Sequence, residues 1–234
     1  MLAMRYYAVG TLAALASSAT ALNIMSGNGL VARKSFAAAK ASEPPSARGY
    51  TIDKEVIAVD PAVYERVDEK LFKGKFKQFV KDHALHETLA GENMVEKYEI
   101  YRKKNAEEIM AVVRFGKSLN GHPRIVHGGI TSLVFDNSFG WLFICLNKPM
   151  AVTANLVINY RAPLNHNTTT ILRAKLVKDE GRKMYMEATL HEPSADGEGK
   201  EKLVADSTTL FVKMKLDWKK RIGLFFRDLT NQAI

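Results

Sequence analysis

Cysteine occurs once in this 234-residue chain, as Cys145. One thiol forms no internal disulfide, and nothing is spaced around it as a second metal ligand. It reads as a buried free thiol, in a reducing compartment or indifferent to redox. Acidic residues are missing from the first 42 positions, while Arg5, Arg33, Lys34, Lys40 and Arg48 give residues 1–50 a net charge of +4 against Glu43 alone. No aromatic-studded basic motif suggests a nucleic-acid surface, and no nucleic-acid partner is expected. The N-terminal apolar run, Tyr6 to Ala16, is too rich in small residues to read as a membrane span, although membrane association stays open.

With 47% hydrophobic residues, the chain can bury one sizeable core, or a core with appendages. Beyond residue 50 a net +5 remains. That charge suits an anionic, nucleotide-bearing ligand and equally suits a soluble basic protein. Residues 1–49 are Ala- and Ser-rich and end in the loop-forming Ser42-Glu-Pro-Pro-Ser46. They read as a targeting or disordered segment, with Arg33-Lys34-Ser35-Phe36 as processing territory for mitochondrial import. Ala19-Thr-Ala21 after the apolar run is the A-x-A feature of a secretory signal, so the secretory pathway (or a plastid) is the alternative.

Residues 50–92 read as a helical extension: Val63, Val67 and Leu71 recur at helical spacing, and Pro61 stands at a first turn. His83 and His86 are three apart but have no third partner, so no metal is expected. From residue 93 the period changes to two. Met94–Arg102 and Glu108–Lys117 read as paired strands. The stretch from Gly128 to about Leu146 is apolar all round, too long for a strand, and reads as one buried helix. Four further strands follow: Ala151–Arg161, Thr168–Lys178, Arg182–Glu192 and Lys202–Met214. The fold class is therefore α+β, an antiparallel sheet wrapped around one long central helix, over 93–215, with 216–234 as a C-terminal tail. In strand 151–161, alternation places Thr153, Asn155, Val157, Asn159 and Arg161 on one face, solvated or turned to a partner or ligand.

The ten residues from His127 to Asp136, H-G-G-I-T-S-L-V-F-D, carry the chemistry. Gly128 and Gly129 let the backbone approach a ligand closely. The free N–H groups of the helical turn that follows form an anion site, as the carbonyl oxygen of a thioester under attack requires. Asp136 is a carboxylate on an apolar helix, costly to bury unless paired or functional. The residues alone leave it open between a general base and a structural cap. They also leave Arg161, Arg182 and Lys183 open between a pyrophosphate clamp and a solvated basic face.

These motifs, together with V-T-A-N-L-V-I-N-Y-R-A-P, K-D-E-G-R-K and V-A-D-S-T-T-L-F-V-K, resemble a hotdog-fold acyl-CoA thioesterase of the PaaI-like branch. Within that branch the chain is similar to the mitochondrial thioesterases of the thioesterase-superfamily-member-4 and -5 type. The resemblance covers about residues 93 to 215. It implies that Asp136 is the catalytic carboxylate and that the Gly128 N–H polarises the thioester carbonyl. His127 and Gly129 shape that turn, and Thr153 assists the carboxylate. It implies contacts to CoA from Asn159, Arg161, Arg182 and Lys183. On the expected alternation Arg161 shares a face with Thr153, roughly 26 Å along the strand, with Arg182 and Lys183 reaching the same region. Some relatives carry an Asn six residues before the His of H-G-G. Gly121 stands there, with Asn120 one residue earlier.

The function so implied is hydrolysis of medium- to long-chain fatty acyl-CoA, without a cofactor or metal, in a homodimer or homotetramer with shared active sites. Two alternatives accompany it. One is a hotdog hydratase or dehydratase, suggested by Asn120-Gly-His122-Pro123. The other is a non-enzymatic binding protein that regulates a kinase, a role linked to members of the branch.

Overall fold

The computed structural model describes residues 50–53, 56–68, 82–104, 107–148, 151–193 and 201–214. The targeting segment, 69–81 and the C-terminal tail lie outside them. Eleven strands and one long helix are named in chain order. They are β1 (Tyr50–Asp53), β2 (Val56–Val59), β3 (Tyr64–Arg66), β4 (Val95–Lys103), β5 (Glu108–Phe115), β6 (Asn120–His122), β7 (Ile125–Val126), α1 (Gly128–Cys145), β8 (Ala151–Tyr160), β9 (Thr168–Glu180), β10 (Lys183–Pro193) and β11 (Glu201–Lys213).

Seven of the strands form one antiparallel sheet in the order β3-β4-β5-β9-β10-β11-β8. Helix α1 packs on one face, where Phe115, Phe135, Phe139, Leu142, Met184 and Leu190 are all fully buried. The sheet wrapped on one helix that alternation foretold is present, and its strands begin and end within a few residues of the expected limits. No helix among the described residues is long and apolar enough to cross a membrane.

Three expectations are corrected. The first concerns the described part of the helical extension; residues 69–81, which include Leu71, lie outside it. Among its described residues are strands β1, β2 and β3 and a single π-type turn, Ala84–Thr88. Val63 and Val67 keep helical spacing, but Tyr64–Arg66 pairs with Tyr101–Lys103, so tertiary pairing overrides a weak local preference. Pro61 sits in a turn in which Asp60 Oδ1 accepts from the Ala62 N–H and its carbonyl accepts from Val63 and Tyr64. Ile57 and Tyr64 then pack with Met110, Val112 and Ile171 in a second core on the sheet's outer face.

The second correction concerns α1. It is buried on one side only, through Thr131, Val134, Phe135, Ser138, Phe139, Trp141 and Leu142. Along the opposite side Gly129 is exposed, Asp136 and Gly140 are half-buried and Ile144 is 38% exposed. A Cβ added at Gly140 would meet no atom within 4 Å. Leu133 and Phe143 still reach the core from the flanks of this side, so Ile144 is the large apolar side chain of the helix left most exposed.

The third correction is in β8, the edge strand. Asn155 lies opposite Leu210 and Thr153 opposite Phe211, leaving Ala154 without a partner. This one-residue bulge inverts the alternation. Thr153 therefore lies on the helix side, with Leu156, Ile158 and Tyr160, while Asn159 and Arg161 lie on the outer side. The single face expected to carry Thr153, Asn159 and Arg161 does not exist.

The one-sided burial of α1 gives a direct expectation. Phe139→Ala, in the fully buried row, should cost about 3–5 kcal/mol of unfolding free energy. Ile144→Ala on the uncovered side should cost a small fraction of that in a dilute, monomeric sample. Urea unfolding of the two variants checks it.

Candidate active site

Helix α1 starts at an unusual cap. His127 has extended backbone angles and its Nδ1 accepts from the Gly129 N–H at 2.9 Å. This ring nitrogen takes the place of the usual Ser or Asp oxygen. A side chain at Gly129 would put a Cβ 3.0 Å from that Nδ1, so the cap demands glycine. The His127 carbonyl accepts from Ile130 and Thr131, at 2.9 and 3.3 Å. Of the first four N–H groups, only that of Gly128 has no acceptor among the described residues. The helix start thus offers one free donor, fewer than the sequence suggested.

Eight residues on, Asp136 lies half-buried, and Thr153 Oγ1 donates to its Oδ1 at 2.9 Å. The bulge at Ala154 makes this contact possible, since it turns Thr153 toward the helix. His127, Gly128, Gly129, Asp136 and Thr153 therefore belong to one helix and the strand edge beside it. At 1.5 Å of rise per residue, Gly128 and Asp136 of one chain stand about 12 Å apart along α1. One carbonyl group cannot touch both.

The remaining expected residues lie elsewhere. Asn159 Nδ2 donates to Asp206 Oδ1 at 2.7 Å, and Arg161 Nε pairs with Asp206 Oδ2. Asp206 is 1% exposed, whereas half of the Arg161 side chain reaches solvent. Hydrogen bonding to Asp206 and its charge raise the Arg161 pKa. Arg182 and Lys183 are exposed at the other end of the sheet. Arg182 Nε donates to the carbonyl of Lys213, which lies opposite Ala151. Within one chain they stand roughly 30 Å from Arg161, the length of β8, and do not reach its region. Asn120 contacts the His166 ring at 3.0 Å.

Three residues escaped the sequence reading. Tyr160 donates from Oη to the Gly128 carbonyl at 2.7 Å, and Ser132 Oγ lies 2.7 Å from the same Oη. Asp206 is the third. No spacing signals any of them, because each acts across elements distant in sequence.

Beside Asp136 lies a polar cluster that fixes α1 to β4. Asn137 Nδ2 and Trp141 Nε1 both reach His86 Nε2 at 3.2 Å, and Asn137 also donates to Tyr98 Oη at 3.1 Å. Tyr98 Oη in turn lies 2.9 Å from Ser138 Oγ. Indole N–H only donates, so His86 Nε2 accepts and the ring is neutral. Burial first, then the His83 ring, lower its pKa to about 4, against an opposing pull from Asp68. His83 itself caps the turn, accepting from Leu85 and His86 N–H. No group of three residues among those described could hold a metal ion.

No family model matches the chain. Among curated proteins it is similar to thioesterases acting on acyl-CoA. In particular it is 30% identical over 155 residues to acyl-coenzyme A thioesterase THEM4 of Rattus norvegicus, covering 64% of this chain and 61% of that protein. To its Mus musculus counterpart it is 30% identical over 117 residues, 50% of this chain and 48% of that protein. The chain thus spans about half to three-fifths of the length of these relatives. Among solved structures, a thioesterase protein from Streptococcus pneumoniae crystallised with coenzyme A aligns with a TM-score of 0.44 and 19% identity, over 50% of this chain and 88% of that one. The resemblance drawn from the motifs is met by relatives of that name.

The buried histidines set a pH dependence. His191, buried beside Arg173, also has its pKa lowered to about 4, by desolvation first and the Arg173 charge second. Each ring is neutral when folded and takes up a proton on unfolding below its ordinary value of 6.5. Stability contributed by the neutral rings is full above pH 6.5 and is lost as pH falls toward about 4. His86→Gln, which keeps an acceptor but does not titrate, should cut the proton uptake on unfolding in that window by about one. Urea midpoints across the window measure it; an unchanged slope would refute the neutral, buried assignment.

Proposed function

We propose that this protein is an acyl-CoA thioesterase hydrolysing medium- to long-chain fatty acyl-CoA to free acid and CoA. The observation that carries the reading is the pairing of a Thr-anchored carboxylate with a helix-start N–H free of any acceptor. The Gly128 N–H binds the carbonyl oxygen as negative charge develops on it. Asp136, its Oδ1 held by Thr153, takes a proton from a water as that water's oxygen bonds to the carbonyl carbon. The C–S bond then breaks, and the CoA sulfur leaves with its electron pair and is protonated. Similarity to THEM4 supports the substrate class.

The 12 Å separation along α1 supports a site in which the two groups acting on one thioester come from two chains. A twofold dimer joined through the β8 edges supplies this: the helices run antiparallel, so Asp136 of one chain faces Gly128 of the other. The uncovered side of α1 and the exposed Val152, Val157 and Tyr160 of β8 are the surface such a dimer would bury. The outer face of β5 and β9 already carries Ile57 and Tyr64, which favours a dimer over sheets stacked into a tetramer. Antiparallel β8 pairing also brings the partner's Arg182 end toward Arg161, so both basic groups can serve one CoA.

Asp136→Asn should lower kcat for palmitoyl-CoA by about 10²–10⁴ while leaving binding of free CoA intact. Gly128→Pro, which deletes the N–H and also sets a ring close to Tyr160 Oη, should be equally inactive. Dissociating and re-associating the two variants together should restore about a quarter of wild-type activity, because half of the dimers are mixed and each has one intact site. Folded mixtures that stay inactive would defeat the shared site.

Arg161→Ala should raise KM for acyl-CoA and weaken inhibition by free CoA more than Arg161→Lys does, since the planar fork grips phosphate at two points. Acyl-pantetheine, which lacks the nucleotide, should be hydrolysed by all three proteins with similar KM. Equal losses on both substrates would mean that the Arg161 charge serves the fold through Asp206.

A further inference from the structure

We infer that Tyr160 is a positioning residue for the Gly128 N–H, tying the start of α1 to the edge strand so that the donor is aimed before substrate arrives. The inference rests on the reading of that N–H as the donor to the thioester carbonyl.

Two peptide planes meet at Gly128. The plane on its N-terminal side carries the donor, and is held through the His127 carbonyl by Ile130 and Thr131. The plane on its C-terminal side is held at one end by the Gly129 N–H on His127 Nδ1, at 2.9 Å. At the other end Tyr160 Oη donates to the Gly128 carbonyl at 2.7 Å. The first three of these contacts are local to the helix start. They fix its shape, but not where it stands against the sheet. Tyr160 alone among the four comes from another element, β8; the residue before the helix is tied separately by the His127 N–H on the Leu119 carbonyl at 2.8 Å, so Tyr160 sets how the first turn stands against β8.

Ser132 cannot replace it. Its Oγ lies 3.0 Å from the Gly128 carbonyl and 2.7 Å from Tyr160 Oη. Two hydroxyl protons serve three contacts, so Ser132 is free to donate to Tyr160 while Tyr160 donates to the carbonyl. A Ser132 back-bond on its own stays within one turn of α1. A Cβ at 128 would crowd this contact, standing 3.2 Å from Tyr160 Oη. One strand thus serves both halves of the chemistry: Thr153 holds Asp136 and, seven residues on, Tyr160 holds Gly128.

The test uses the full-length protein with acyl-CoA labelled with ¹³C at the thioester carbonyl. Hydrogen bonding lowers the C=O stretching frequency. Bound to the Asp136→Asn protein, the label should absorb below its frequency in water. Adding Tyr160→Phe should move the band back toward the free value. With Asp136 intact, Tyr160→Phe should lower kcat about tenfold to a hundredfold, as displacement of an aimed group does. KM should change less than about twofold. Ser132→Ala should move the band and kcat less than Tyr160→Phe, which keeps the comparison decisive if the tyrosine variant folds poorly. A band that is low in the Asp136→Asn protein and unmoved by Tyr160→Phe overturns the role of Tyr160 alone. A band never lowered on binding overturns the Gly128 donor itself, and the positioning role with it.

Discussion

The rise of an α-helix sets the terms for everything else in this protein. Gly128 and Asp136 ride on the same rigid element, eight residues apart, and no side-chain motion brings them to one carbonyl. The helix leaves Ile144 partly exposed, and the strand beside it ends the sheet with exposed valines. A site split along a helix, an exposed apolar residue and an open edge are three features that the proposed dimer would answer together.

Rigidity comes from polar contacts placed around that helix. On the β4 side, His86, Tyr98, Asn137, Ser138 and Trp141 form a connected cluster in which each group finds a partner. On the β8 side, Thr153 and Tyr160 reach the two working groups directly. The carboxylate and the amide are therefore fixed from outside the helix as well as within it. In the proposed reaction such fixing would lower the reorganisation needed as charge develops on the thioester.

Much of this was legible in the chain. The change of period near residue 93 announced the strands, and the length of the apolar run from Gly128 separated helix from strand. The H-G-G turn marked the start of the helix and its capping histidine. What could not be read has a physical cause in each case. The bulge at Ala154 carries no glycine or proline to announce it, yet it reverses every side chain beyond it. Tyr64–Arg66 is too short to show a period and is a strand only because β4 offers it an edge. Tyr160 alternates with Asn159 and Arg161, but nothing in its neighbours says that its hydroxyl ends on Gly128. Burial all round the helix was the wrong inference from a right pattern, because a sequence does not say whose surface will cover it.

The bulge in β8 has a consequence for how this strand tolerates change. Substitutions along it alter one contact at a time, but loss or gain of a single residue between Thr153 and Leu156 shifts the phase of the whole strand. Removing Ala154 would turn Thr153 outward or bring Asn159 and Arg161 inward, with every side chain chemically intact. In this strand residue number matters as much as residue identity, and its length is under tighter constraint than its composition.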